Sequence, residues 1–322
     1  MTDIAQNHEA MVKFDAFALG SDLPRSRKQY WLRRCARLLV SALRLNTSHP
    51  FSTELAQAIL PVAKIKTPKG SMLCRAGHGR LVWRAETFYT EEPETIAWLN
   101  TMTPQDVLWD IGANVGLYSL YAAKVIGCRT FSFEPEAQNY ATLVDNIDLN
   151  NLAALCRPVA VSLSDGFELG RLQVRYVTKG GAFNHFMGTD GKDEALPAAF
   201  ATAQAYQERA GLQQVMFSCS ADELIAKHGL DCPSFIKLDV DGLEPRIIKG
   251  AMATLADPRM KSVLVEINTI SPEDMGIPDV LLGLGYEKVS ERSNWESKAK
   301  SPRADEMPAT NMIFSRPEVT SK

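Results

Sequence analysis

The sequence predicts an α/β protein built on a doubly wound, mostly parallel sheet, preceded by a helical N-terminal extension. Three observations carry this. From Val107 onward short apolar strands alternate with helices at close spacing. The first strand, VLWDI (107–111), runs into the turn Gly112-Ala113-Asn114-Val115-Gly116, and the second ends at the acidic Glu134.

Taken from the N-terminus, residues 21–50 are the first distinct feature. Seven basic residues there face only Asp22, giving +6 locally against a chain total of −3. Leu32, Cys35, Ala36, Leu39 and Leu43 recur at helical spacing with Trp31 and Leu38 beside them, so a basic amphipathic helix is expected over 31–45. It suits either an anionic membrane surface or acidic partner contacted through residues 25–45, or packing against the protein's own domain. The expected division is an extension over 1–66 and a main domain over 67–322.

Ser71–Arg75 and Arg80–Arg84, flanking AGHG (76–79), read as a hairpin. In TEEPETIAWLNTM, Thr90 is the expected N-cap and Pro93 lies in the first turn, with Glu91, Glu92 and Glu94 at the positive end of the helix dipole. After VLWDI come a helix over Leu117–Ile126 closed by Gly127, a strand in CRTFSFEP (128–135), and a helix marked by Tyr140, Leu143, Val144 and Ile147 that stops at Asn150 and Asn151. LCRPVAV (155–161) is strand-like, and a variable region follows to about 217. Then come strand FIKLDV (235–240), one helix through Ile247, Ile248 and Leu255, strand SVLVEI (262–267), a polar loop over 292–306 and a last strand in NMIF (311–314).

Composition narrows the function. A slightly acidic chain with pI near 6.0 lacks the basic field needed to bind a nucleic-acid backbone, so no nucleic-acid partner is expected. The six cysteines form no CxxC pair or regular spacing, which argues against a zinc site or disulfide framework and for a reducing, cytoplasmic setting. No apolar run approaches the roughly 20 residues of a membrane span, and the first residues do not resemble an export signal.

Ligands of doubly wound sheets bind beyond the carboxyl ends of the strands, which places the chemistry at the 110–116 turn. Gly112 and Gly116 permit backbone geometries closed to other residues, and Asp110 can pair with an ammonium group. A nicotinamide-binding turn would carry G-x-G-x-x-G for a pyrophosphate, and that triplet is missing. The acidic strand end better suits a cationic amino acid such as the methionine part of S-adenosylmethionine. Glu134, 22 positions after Gly112, can accept hydrogen bonds from ribose hydroxyls.

The run VLWDIGANVGLYSLYAA, the following FSFEP and DNIDLNN, and the downstream FIKLDVDGLEPRIIKGA and LVEIN together resemble the FkbM family of S-adenosylmethionine-dependent methyltransferases over about 85–317. The resemblance implies a class I, Rossmann-like, seven-stranded sheet with an antiparallel last strand, and O-methylation of a hydroxyl on a sugar or secondary metabolite. It carries Asp110, Gly112, Asn114, Gly116 and Glu134 over as cofactor contacts. Asp241 stands where the family usually has glutamate, which shortens the reach of that carboxylate.

At the reacting end, positioning an acceptor oxygen contributes most and a general base adds about 10²-fold to 10⁴-fold. Asp239 and Asp241 end the fourth strand, beside the first, and strand alternation would place both on one side, with Glu244 opening the next helix. The alternative makes Asp239 a partner of Lys237 and the others helix caps. Asp239 with Glu266 and Asn268 would make an oxygen set for magnesium, but nothing in the resemblance requires a metal, and none is assigned. His185, in the glycine-flanked segment KGGAFNHFMG (179–188), is a further candidate base. Two other readings stay open: a nicotinamide-dependent oxidoreductase, and a non-catalytic module that binds S-adenosylmethionine. The acceptor cannot be named, because its specificity falls to 167–217 and 270–310.

Overall fold

The computed structural model describes residues 60–174, 177–182, 184–188, 212–293 and 309–317. The basic segment at 25–45 and nearly all of the polar run over 292–306 lie outside them. The chain divides into two units, Met1–Phe88 and Tyr89–Lys322.

In the first unit, β1 (Val62–Thr67) and β2 (Gly70–Arg75) form an antiparallel hairpin, followed by helix α1 (Gly79–Thr87). The hairpin therefore lies one element earlier than the sequence predicts. Its turn is at Pro68-Lys69, where Gly70 takes a φ of 97°. The expected turn at 76–79 is instead a helix start: His78 is extended and its Nδ1 accepts from the Arg80 amide at 3.3 Å. Leu81, Val82 and Ala85 then fall on one buried face at helical spacing, which overrides the strand reading.

The second unit begins with α2 (Pro93–Leu99), β3 (Val107–Ile111), α3 (Leu117–Tyr121), β4 (Arg129–Phe133), α4 (Ala137–Leu149) and β5 (Cys156–Val159). Four strands follow, β6 (Ser162–Leu163), β7 (Glu168–Val174), β8 (His185–Gly188) and β9 (Leu212–Cys219), and then α5 (Ala221–His228). The chain continues through β10 (Phe235–Leu238), α6 (Glu244–Lys249), α7 (Met252–Ala256), β11 (Ser262–Asn268), α8 (Ile277–Gly283), β12 (Glu287–Ser293) and β13 (Ala309–Ser315). Helix α3 runs on as a π-helical turn over Ala122–Ile126 and closes at Gly127, whose φ is 88°.

Seven strands form the main sheet in the order β5-β4-β3-β10-β11-β13-β12. Neighbours from β5 to β11 are parallel and β13 runs against both of its neighbours, as the resemblance implies. One face is apolar: Trp109, Phe131, Phe133, Ile236, Leu238, Val263, Val265 and Phe314 form a continuous core with Leu224, Ile247 and Leu255 from the covering helices. The opposite face carries Ser132, Asp110 and Lys237 in one register row across β4, β3 and β10. Helix α2 is tied to that face by the Trp98 indole N–H, which donates to Ser262 Oγ at 2.8 Å.

Three further sequence expectations are corrected. Thr90 does not cap α2, because Pro93 fits the first helical position and Glu92 takes the cap. The helix expected through Leu255 breaks at Gly250, where a Cβ would stand 2.2 Å from the Ser164 carbonyl oxygen. FIKLDV stops pairing at Leu238, and Asp241 has a φ of 62°, so strand alternation does not place Asp239 and Asp241 on one side. The variable region also holds a second sheet, β6-β9-β7-β8, that the sequence reading did not identify.

At the amino end of the strands, Asp106 is buried and accepts from the Thr103 amide and hydroxyl, from Ser234 Oγ and from Lys261 Nζ. Burial alone would raise its pKa, but the Lys261 ammonium and the Thr103 and Ser234 hydrogen bonds outweigh it and hold the carboxyl below the usual range. A depressed folded pKa contributes stability above the unfolded value near 4, lost as pH falls through the folded value. Asp106→Ala is expected to cost about 2–3 kcal/mol in urea unfolding at pH 7, since it strands several buried donors, with the deficit shrinking below pH 4. A deficit that is the same at pH 3 and pH 7 would contradict this role.

Candidate active site

The site lies at the carboxyl ends of β3, β4, β10 and β11. The turn after β3 owes its shape to contacts within the protein. Gly112 has a φ of 84°, and a Cβ there would stand 1.8 Å from the Asp239 carbonyl oxygen. Gly116 has a φ of 83°, and its Cβ would meet Leu143 Cδ1 at 2.3 Å. Between them Asn114 is left-handed at φ 52°, a conformation asparagine tolerates better than most residues.

Asp110 is 1% exposed. Its Oδ2 accepts from Ser119 Oγ at 2.6 Å, and Ser132 Oγ in turn donates to Ser119 Oγ at 2.7 Å. Its Oδ1 is buried and has no hydrogen-bond partner. Burial raises the Asp110 pKa, against the pull of the nearby Lys237 ammonium and the Ser119 bond.

Glu134 is 5% exposed and both its oxygens hold backbone amides, that of Asn114 on Oε2 and that of Glu136 on Oε1, each at 2.8 Å. Burial nonetheless pushes its pKa up to about 8. Asn114 Nδ2 donates to the Gly181 carbonyl at 2.7 Å, so part of the segment beginning at Lys179 does lie on the cofactor-type turn. His185 itself opens β8, paired in register with Gln173, and its side chain falls outside the described residues.

Lys237 is a buried cation whose Nζ donates to Asp239 Oδ2 at 2.7 Å and lies 5.2 Å from the centre of the Tyr118 ring. Burial works against its charge, but Asp239, Glu92 and Asp110 outweigh that and raise its pKa. Asp239 is thus both a partner of Lys237 and a strand-end acid. Glu244 is the first residue of α6 and does not cap it: Oε1 accepts from the Val240 amide at 2.9 Å and Oε2 from the Gly242 amide at 2.8 Å, so its carboxyl closes the loop before the helix.

Sequence reasoning did not assign Glu92 to this site and considered Glu266 there only as a metal ligand. Burial raises the pKa of Glu92, which also interacts with Lys237 and Asp239 and accepts from Thr95 Oγ1 at 2.9 Å. Burial raises that of Glu266 further, with Asp239, Asp241, Glu92 and Glu244 adding repulsion. The available signals were the position of Glu92 directly before a helix-starting proline and that of Glu266 at the end of a strand beside β10. Asn268 Oδ1 accepts from the Ile270 amide at 3.2 Å, closing the turn after β11. Among the described residues, no group of three His, Cys, Asp or Glu side chains is placed to hold a metal ion, and no helix is long and apolar enough to cross a membrane.

The family model described as "Methyltransferase FkbM domain" matches residues 110–288. The chain is 23% identical over 195 residues to the hexuronic acid methyltransferase AglP of Haloferax volcanii, covering 60% of this chain and 70% of that protein. It is 22% identical over 240 residues to the 31-O-demethyl-FK506 methyltransferase FkbM of Streptomyces tacrolimicus, covering 72% and 91%. A solved structure of methyltransferase FkbM from Methylobacillus flagellatus KT aligns with 15% identity and a TM-score of 0.42 over 71% of this chain and 54% of that one.

The pKa of Glu244 is pushed up to about 8 by burial, so the folded state holds its proton over a range in which an unfolded glutamate has lost it. A raised folded pKa contributes stability that is full below the unfolded value near 4.3 and lost as pH rises through the folded value. Stability should therefore decline from pH 5 to pH 8, and Glu244→Gln should remove up to one proton's share of the slope, about 1.4 kcal/mol per pH unit. Denaturant titrations at several pH values check this. Identical slopes in the variant and the wild type would show that Glu244 titrates normally.

Proposed function

The chain belongs to the FkbM methyltransferase family, and from that membership we propose that it is an S-adenosylmethionine-dependent O-methyltransferase acting on a hydroxyl of a sugar, glycan precursor or secondary metabolite. The observation that carries the cofactor assignment is the Asp110 Oδ1 atom, a buried acceptor with no partner at the end of the first sheet strand. An unsatisfied buried acceptor costs about 1–3 kcal/mol, and an ammonium donor of the cofactor's amino-acid end would relieve it. The residues present fit the group.

In this reading Asp110 binds the ammonium, Gly112 and Gly116 shape the turn, and Asn114 and Glu134 face the nucleoside, Glu134 offering the lone pairs not engaged by amides. When bound, the cofactor supplies a methyl group activated on a sulfonium. The acids at the ends of β10 and β11 serve the acceptor. Lys237 orients Asp239, Asp241 lies near Glu134, Glu244 and Glu266, and these carboxylates are positioned to hold a hydroxyl and receive its proton. His185 remains a further candidate for that proton. The relatives' printed acceptors, a hexuronic acid and a demethylated FK506, support oxygen-bearing small molecules as the acceptor class.

Calorimetry with S-adenosylmethionine, S-adenosylhomocysteine and NAD tests the cofactor. Both sulfur nucleosides should bind, and Asp110→Asn should weaken S-adenosylmethionine by between ten- and about a hundredfold, the worth of a charged hydrogen bond. Binding of NAD with neither sulfur nucleoside would overturn the reading. For the acceptor side, Asp239→Asn should lower methyl transfer to a glucuronoside or hydroxylated macrolide by at least about 10²-fold while cofactor affinity stays within about twofold.

A further inference from the structure

A closed ring of hydrogen bonds runs through the Glu134 carboxylate. The Asn114 amide donates to Glu134 Oε2, and the Asn114 side-chain amide donates to the Gly181 carbonyl. Asn139 Nδ2 donates to the same carbonyl at 3.0 Å, and the Asn139 backbone amide donates to Glu136 Oε2. The Glu136 amide returns to Glu134 Oε1 and completes the ring. The segment that closes it is a β-turn in which the Gly181 amide donates to the Thr178 carbonyl at 2.9 Å and Gly180, with a φ of 78°, occupies the third position. Asn139 Oδ1 grips that turn a second time by accepting from the Gly180 amide at 2.8 Å.

Two polar atoms of this assembly are buried without partners: the Asn114 carboxamide oxygen and the Thr178 hydroxyl. Buried polar groups are paired in the great majority of cases, so two unpaired ones in the same clasp call for a polar partner that the protein itself does not supply. Glu134 is itself a member of the ring and almost inaccessible, so a nucleoside that meets its carboxylate also meets the ring's neighbouring members.

We propose that the turn Thr178–Gly181 is the outer wall of the nucleoside half of the cofactor site, with the Thr178 hydroxyl and the Asn114 carboxamide oxygen contacting the ligand and Asn139 acting as the positioning residue that holds the wall in place. This rests on the reading that the site takes S-adenosylmethionine. The wall recognises the adenosine part and is indifferent to the amino-acid end, which separates it from the role of Asp110.

Thr178→Val tests the contact. The hydroxyl has no partner in the free protein, so its removal should leave the thermal midpoint unchanged or slightly raised. The same change should weaken S-adenosylhomocysteine about five- to tenfold, the worth of one hydrogen bond, and should weaken methylthioadenosine, which lacks the amino-acid end, by the same factor. Asn139→Ala should speed dissociation of both ligands about tenfold, read by stopped-flow tryptophan fluorescence. A wild-type protein that binds neither ligand would remove the cofactor reading and this inference with it. Wild-type binding with unchanged affinities in both variants would overturn the inference and leave the cofactor reading standing. A loss confined to S-adenosylhomocysteine would overturn it too, because the wall would then act on the amino-acid end. If Asn139→Ala fails to fold, Thr178→Val alone decides, and unchanged affinity there overturns the proposal.

Discussion

The ion pair between Lys237 and Asp239 is the interaction on which the rest of the site depends. Lys237 is 2% exposed and lies in the sheet, its ammonium held by Asp239 and facing Glu92 and Asp110. Burying an ammonium costs several kcal/mol unless it is paired, and here pairing links four elements: β3 through Asp110, β10 itself, the segment that follows β10, and the start of α2. Removing the cation would leave several carboxylates buried beside one another with nothing to balance them. The burial of Lys237 thus depends on its acids, and the position of the acids depends on Lys237.

One ammonium does not neutralise the surrounding acids. Glu92, Asp110, Asp239, Asp241, Glu244 and Glu266 gather at the strand ends, and burial raises the pKa of Glu92, Asp110, Glu244 and Glu266. A region of this kind favours ligands that bring positive charge or donate hydrogen bonds, and it disfavours a pyrophosphate. The charge distribution and the missing glycine triplet therefore favour the same ligand class for independent reasons.

Much of this was legible in the sequence, for a physical reason. Strands such as VLWDI and SVLVEI are buried on both faces, so they read as unbroken apolar runs, and the acids at their ends mark where the sheet stops. The second sheet was not legible. Its strands β7 and β9 are half exposed, with Phe167 stacked on Phe217 at 5.2 Å on the outer side, so they lack both continuous apolar character and a clean turn between them. β12, EKVSERS, is polar along most of its length and is paired only through β13. The displaced hairpin and the split helix have different causes: at 78–85 the His78 cap and the buried face of Leu81, Val82 and Ala85 start a helix where a turn was expected, whereas Gly250 breaks a helix because a Cβ there would meet the Ser164 carbonyl. Among the site residues, Asp110 and Glu134 were recognisable from position, whereas the ring through Asn139 and Gly181 joins residues 42 apart and has no local signature.

The approach of Gly112 to the Asp239 carbonyl has a consequence for how such proteins diverge. The two positions lie far apart in the chain, yet the space between them admits a hydrogen and nothing larger. The glycine of the first loop and the backbone path of the fourth-strand loop are consequently coupled, so that a side chain at one requires the other to move. Any lineage that reshapes the loop after β10 to suit a new acceptor must either preserve that carbonyl's location or rebuild the cofactor turn in the same step. Segments that do not touch Gly112, such as the second sheet and the chain around β12, are free of this constraint, and a change there leaves the turn after β3 undisturbed.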